Sequence, residues 1–438
     1  MDKFSRRSVL QGTTALAGGM AIAGSDLLGW AKAWAQETMF KTEDGAKLQL
    51  LRWKRFIQSE EDTFLELMAA FTQATGCEVE VLNESMDDVQ PKASVAANVG
   101  SGPDIVWGLF SLPHLFTDKC LDLTDLADSL GEKYGGWIPA AEKYGKSGDT
   151  WIGLPICFGG NYINYRISAC EEAGFSDGVP EDNEGFLELC KALNGIGKPA
   201  GMALGHATGD GNAWTHWALW SHGAAMVDEN DKVILDSPEA VAACDYVKAL
   251  NDSWIPGTAS WNDGSNNKAF LAGEVSLTNN GISIYQKGID DGLDIKDDMD
   301  HAYYPIGPAG TPTELHISWT MLAFQYSKYP MACKALMDFL LQKEQYDKWL
   351  EGAKAYLTHP LNAYDNAPIW TSDPKRTIFR DCGKRTLVAG HRGSVGEKAA
   401  AAIAEFIVVD MFANAATGQM SSADAVKDAA RKAERIYR

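Results

Sequence analysis

Short apolar segments alternate with an amphipathic one early in this chain, and that alternation admits few architectures. Leu48 to Trp53 reads as a strand. Phe64, Leu67, Met68 and Phe71 then recur at helical spacing, and Gly76 stops that helix. Val79 to Leu82 is a second strand, Gly100-Ser101-Gly102-Pro103 a loop, and Asp104 to Trp107 a third strand, apolar enough to be buried. Strand–helix–strand units with such short gaps predict a parallel sheet covered by helices.

A chain of 438 residues is too long for one compact core, so at least two lobes are expected. A second region follows Trp151-Ile152-Gly153-Leu154-Pro155. In it Tyr162–Tyr165 reads as a strand, Glu184–Leu193 as a helix, and Pro238–Leu250 as a helix opened by the cap-like Asp236-Ser237. From Tyr303 the pattern is strand-like, then helical over Met331–Leu350, Glu397–Ala415 and Ser421–Tyr437. Asp290–Asp300, with six Asp in eleven residues, reads as a solvated loop.

The first 35 residues read as an export signal. Arg6-Arg7 is a twin-arginine pair, the apolar stretch after it ends in the small-x-small site Ala33-Trp34-Ala35, and Lys32 suits that pathway. Gly12, Thr13, Thr14, Gly18, Gly19 and Gly24 interrupt the stretch, which argues against a membrane anchor, and no other apolar run approaches spanning length. No Cys lies near the cleavage region, so a soluble, unlipidated periplasmic protein is expected.

Lys+Arg total 39 against 59 Asp+Glu, with no basic block, so nucleic acid and anionic membrane are poor partners. Cys190 and Cys333 sit at helical spacing among Phe and Leu and read as core thiols, although the compartment permits disulfides. Without CxxC, HExxH or a calcium loop, and with His216 and His222 six residues apart, no metal or cofactor is expected. Gly-x-Ser-x-Gly does not occur in the mature chain, and without a phosphate-binding loop the chain is not an ATPase subunit.

Several pieces, in order, resemble the extracellular sugar-binding proteins of bacterial ABC importers, the group that includes maltose-binding protein. Phe71 to Val79 is similar to the family's first helix and second strand, Gly102-Pro103-Asp104-Ile105-Val106 to its third strand, and Leu121-Asp122-Leu123 to the element after it. Gly153-Leu154-Pro155 with Ile163-Asn164-Tyr165-Arg166 resembles the segment that crosses between lobes. Phe270 to Gly281, Pro305-Ile306-Gly307-Pro308 and Thr417-Gly418 resemble later elements. The resemblance implies an α/β, two-lobed periplasmic-binding-protein fold of type II that closes on ligand by a hinge. It places one lobe at 36–157 plus 303–355 and the other at 158–302 plus 356–438. It implies a monomer that binds a carbohydrate or polyol and hands it to a membrane permease.

A sugar presents hydroxyls, which want planar donors and acceptors, and a C–H face, which stacks on aromatic rings. Trp53, Arg55 and Trp107 lie at or beyond carboxyl ends of strands, where open α/β sheets bind ligands. The resemblance adds Phe158 and Gly159, where relatives carry a ligand-contacting carboxylate. It also adds Asn212, Trp214 and His216, with Trp214 as the aromatic platform, and Asn280. Ser318 and Trp319 on the return strand, and Arg392 with Arg385 and His391, complete the expected contacts. If the cations faced the ligand, a sugar acid would be preferred. Two other functions fit the same features: a twin-arginine-exported enzyme such as a glycosidase, and a polyamine receptor on this fold.

Overall fold

The computed structural model describes residues 24–438. Arg6-Arg7 and most of the apolar stretch after them lie outside the described residues. In chain order the elements that matter here are α1 (Gly24–Glu37), β1 (Lys47–Trp53), α2 (Gln58–Thr75), β2 (Glu78–Glu84), α3 (Met86–Val99), β3 (Ile105–Leu109), β4 (Leu154–Gly159), β5 (Tyr162–Arg166), α4 (Asp210–Ser221), α5 (Pro238–Asn251), β6 (Leu277–Asn280), β7 (Met299–Ala302), β8 (Ile317–Ala323), α6 (Glu397–Ala404), α7 (Ile407–Ala416) and α8 (Ser422–Tyr437).

The first lobe is built on a five-stranded sheet, β2-β1-β3-β8-β4. β1 runs parallel to β2 and β3, as the strand–helix–strand pattern predicts. β8 runs antiparallel to β3 and β4, because the chain re-enters this sheet from the other lobe. Every residue of β3 is buried, as befits a strand with both faces covered. Phe64, Leu67, Met68 and Phe71 form the buried stripe of α2, and Gly76 closes that helix at φ 79°, its N–H reaching the Thr72 carbonyl.

In the second lobe β5 pairs antiparallel with β6 and β7, and helices α4, α5, α7 and α8 supply most of the core. The Ser237 side chain accepts from the Ala240 N–H and opens α5 where the sequence suggests. Two segments cross between the lobes directly, Gly160-Asn161 and residues 303–316. A third lies alongside: Thr358 and Phe158 exchange backbone hydrogen bonds, both 2.7 Å.

The stretch after 355 is shared between lobes rather than given wholly to the second. Leu361 bridges to Trp137, and the Tyr364 hydroxyl donates to the Leu341 carbonyl, so this part packs on the first lobe. Asp373 to Arg376 packs on the second, where the Tyr285 hydroxyl donates to Asp373 and Lys375 to the Met299 carbonyl. Asp300 lies within β7 and Asp298 pairs with Arg166 at 2.8 Å, so the acidic run is only partly a solvated loop.

All eight cysteines are free and buried. Glu397–Ala416, contrary to the reading that no second stretch approaches spanning length, is long and apolar enough to cross a membrane. It serves as core instead: Phe406, at φ 54°, breaks it into α6 and α7, and α7 packs against α4, α5 and α8. The Ala33-Trp34-Ala35 site is helical, in α1. Leu27, Ala31 and Trp34 are buried at helical spacing, and the Trp34 indole donates to Asp338 at 2.7 Å.

Candidate functional site

The two lobes meet across a pocket whose walls differ in chemistry. The first lobe and the adjoining segment give Phe56, Trp319 and Tyr356; the second lobe gives Asp210, Asp263, Asn280 and Ser283; Gly159, Gly160 and Gly281 contribute backbone. About 30 Å³ of space remains there, enough for a water or two, so the lobes are closed on each other. The lobes approach closely at Gly209, since a Cβ there would come within 2.8 Å of the Ile317 side chain. Thr208 donates across the gap to Asp87 at 3.2 Å.

Trp319 projects from β8 towards β4, and the alternation of the strand turns Ser318 the other way, onto Thr320. The outer edge of the Trp319 ring lies against Gly159, where a Cβ would clash at 2.4 Å. Glycine is required there, so the position supplies a seat for the indole. The Trp319 indole N–H is buried and has no protein acceptor.

Behind Trp319 stands a stack that the sequence places in the cleft but the structure places in the first lobe's core. Trp53 stacks on Trp319 at 5.3 Å and tilts against Trp107 at 5.2 Å. The Arg55 guanidinium lies 3.8 Å from the Trp53 ring centre and 4.0 Å from that of Trp107, with Nε 3.0 Å from Glu60. Arg52 also pairs with Glu60, at 2.8 Å, and the Trp349 indole donates to it at 2.9 Å. Burial lowers the Arg55 pKa, while the Glu60 carboxylate opposes the shift. Trp53, Arg55 and Trp107 thus hold the aromatic wall from behind and do not line the pocket.

Opposite, the N-terminus of α4 carries the polar wall. Asp263 accepts from the Gly209 and Asp210 N–H groups at 3.0 and 2.7 Å, capping α4 from a distant loop. Asp210 accepts from Asn161 at 2.6 Å and from Asn266 at 2.8 Å. Asn279 ties Asn161 to the Asp210 carbonyl. Burial, with the Asp263 charge beside it, pushes Asp210 well above the usual carboxylate range. Burial likewise raises Asp263, to about 6.

Of the residues expected from sequence, Gly159, Asn280 and Trp319 come together in this pocket. Asn212, Trp214 and His216 turn into the second lobe instead. The Trp214 indole donates to the Ala203 carbonyl at 2.6 Å and packs on Trp254. His216 is bonded to the Asn212 carbonyl, and burial lowers its pKa to about 4. Phe158 is buried against Gly383. Arg392 donates to the Gly223 carbonyl, while Arg385 pairs with Glu314 and lies over Tyr303. Asp210, Asp263, Phe56 and Tyr356 were not expected. The α4 segment was singled out, but for its tryptophan four residues beyond the aspartate that faces the pocket.

A second inter-lobe cavity, of about 380 Å³, adjoins the pocket, with Met86 lining both. Across the two linings there are three aspartates, Asp87, Asp210 and Asp263, and no Lys or Arg among the described residues.

The fold is that of solved sugar-binding proteins. A maltose-bound MalE3 of T. maritima matches with a TM-score of 0.78 at 20% identity, over 90% of this chain and 100% of that one. A solute-binding protein of Agrobacterium radiobacter K84 in complex with ribitol matches at 0.73 and 17%, over 90% of this chain and 99% of that one. Among curated proteins, a binding protein of Brucella abortus (strain 2308) is 23% identical over 44% of this chain and 47% of its own length. An ABC transporter-binding protein of Deinococcus radiodurans is 22% identical over 54% of this chain and 56% of its own. The chain thus spans about half the length of the curated relatives it matches. The family model for bacterial extracellular solute-binding proteins matches residues 66–378, which is most of the chain, and the chain belongs to that family.

Proposed function

We propose that this protein captures a carbohydrate or polyol between its lobes outside the cytoplasm and delivers it to the permease of an ABC importer. One observation carries the reading: the Trp319–Tyr356 wall faces the Asp210–Asp263–Asn280 wall across a pocket closed by both lobes. An aromatic face takes a sugar's C–H surface, and carboxyl and amide groups take its hydroxyls. Relatives of the same fold hold maltose and ribitol, which supports this class of ligand. The pocket is too small for a sugar as it stands, so entry requires the lobes to part about the crossing segments, and ligand then favours reclosure.

Both pocket carboxyls belong to the second lobe, and Asp263 accepts from the N–H of Asp210. They do not flank a bond from opposite sides as a glycosidase requires, so the binding role is preferred to the enzymatic one. Export by the twin-arginine pathway to a soluble, unlipidated monomer is part of the same reading. It rests on Arg6-Arg7 and Ala33-Trp34-Ala35. A polyamine ligand is the second reading, favoured by aspartates without a lining cation. A thermal-shift screen over sugars, polyols, sugar acids and polyamines separates these, since a ligand of the folded form raises the melting temperature. Shifts with neutral sugars or polyols are expected; shifts with polyamines alone would replace the carbohydrate reading.

A further inference from the structure

The outer inter-lobe cavity differs from the inner pocket in chemistry. At about 380 Å³ it is far roomier, and its walls are mainly apolar: Phe110, Leu112 and Leu115 from the first lobe, Ile403, Ala404 and Phe406 from the second. Ala400, Ile403 and Ala404 share one face of α6, which lies over the 112–119 segment of the first lobe. Phe110 and Phe406, on opposite lobes, both have left-handed backbone, at φ 50° and 54°. Phenylalanine rarely adopts that conformation, and such strain gathers where a side chain must be aimed at a ligand. The His206 ring stacks on Phe406 at 4.4 Å and is held by Asp410.

Polar groups in the cavity are few: Asp87, Gln90, Ser111, His206 and Thr208 among seventeen lining residues. Asp87 and Thr208 bond to each other at its border with the inner pocket, and His206 bonds to Asp410. Ser111 Oγ is buried there with no partner. A second sugar ring would bring more hydroxyls into this space than Ser111 and Gln90 can serve, the rest losing water without a replacement, whereas an apolar group asks for none.

We propose that the outer cavity receives an apolar substituent of the ligand, making the cognate solute a sugar conjugate such as an aryl glycoside rather than a free sugar or an oligosaccharide. The proposal rests on the carbohydrate reading of the inner pocket. Because the cavity is walled by both lobes, the substituent also helps to hold them shut.

Calorimetry with methyl glycosides, phenyl glycosides and disaccharides of glucose, galactose, mannose and xylose tests this, on wild type, Ala404→Phe and Leu115→Gln. For the sugar that binds, the phenyl glycoside should exceed the methyl glycoside by at least about tenfold, the gain from burying a ring's apolar area. Ala404→Phe fills the cavity and should erase that gain while the methyl glycoside binds as before. Leu115→Gln, which places an amide in the cavity without adding bulk, should shrink the gain too and serves if the first variant folds poorly. Equal affinity for methyl and phenyl glycosides, or a disaccharide that binds tighter than the phenyl glycoside, overturns the proposal and leaves the carbohydrate reading standing. Absence of binding by every glycoside overturns this proposal, and the thermal-shift screen over free sugars and polyols then decides the carbohydrate-or-polyol reading separately.

Discussion

The Trp319 indole rests on Gly159 so closely that a single methyl group at position 159 would enter its ring at 2.4 Å. Gly159→Ala should therefore move the indole out of the pocket rather than merely crowd it. Overpacking of this kind costs about 1–3 kcal/mol of stability. Urea unfolding should show that loss, and calorimetry should show ligand affinity falling by roughly tenfold or more, as truncation of an interfacial anchor does. Unchanged affinity would mean that Trp319 is no ligand platform.

Trp319→Ala and Trp214→Ala separate the platform from the core. Both remove a buried indole, and each should destabilise by about 3–5 kcal/mol. Only Trp319→Ala should abolish binding, because Trp214 is enclosed by Ala203, Trp254 and Phe412 within the second lobe. Binding lost in Trp214→Ala, with its fold intact by circular dichroism, would restore Trp214 as the platform.

Arg55→Ala leaves the buried Glu60 with one cation fewer and strips the guanidinium from beside the Trp53 and Trp107 rings. Breaking a buried pair in this way costs about 3–5 kcal/mol. Arg55→Lys should rescue little, since an ammonium has no planar face to pack against the two rings. Arg55 stands behind the wall, so a neutral sugar should bind at least as well as its uronate in wild type. A uronate preference that vanishes in Arg55→Ala would show that this cation reaches the ligand.

Asp263 gives a pH signature of definite sign. Its pKa is raised from the ordinary 3.8 to about 6, chiefly by burial, so the folded state holds this proton more tightly than the unfolded chain does. The destabilisation it causes is absent below about pH 4, grows through the window to about 6, and is complete above it. Relative to Asp263→Asn, wild type should therefore gain of order 1–3 kcal/mol between pH 7 and pH 4, by the conversion of pKa units to free energy. Urea midpoints of the two proteins that shift in parallel with pH would refute the assignment.

Export is testable without the fold. Arg6→Lys combined with Arg7→Lys should leave uncleaved precursor in the cytoplasm, seen by fractionation and immunoblot. Mature protein in the periplasm at wild-type levels would remove the twin-arginine pathway from the proposal.

Local pattern was enough for several elements, though not for the strand start at Ile317 rather than Tyr303, or for the breaks that split Met331–Leu350 and Glu397–Ala415 into two helices each. The Phe64–Phe71 stripe, the Gly76 stop and the Ser237 cap are decided within a few residues of chain, by spacing and by the groups that satisfy a helix end. Trp319 and Asn280 were also legible, one from its return strand and the other from a family-like segment. What the sequence could not decide is which buried aromatic or ion faces the cleft. Trp53, Trp107, Trp214 and Arg55 have the composition of a sugar site, yet each is enclosed by partners tens to hundreds of residues away. Asp210 and Asp263 meet only because a distant loop caps α4, and Gly159 matters only because β8 pairs beside β4 and lays Trp319 on it. Periodicity reports which face of an element is apolar. Whether that face meets core or cleft depends on how two lobes close, and that is a property of tertiary packing alone.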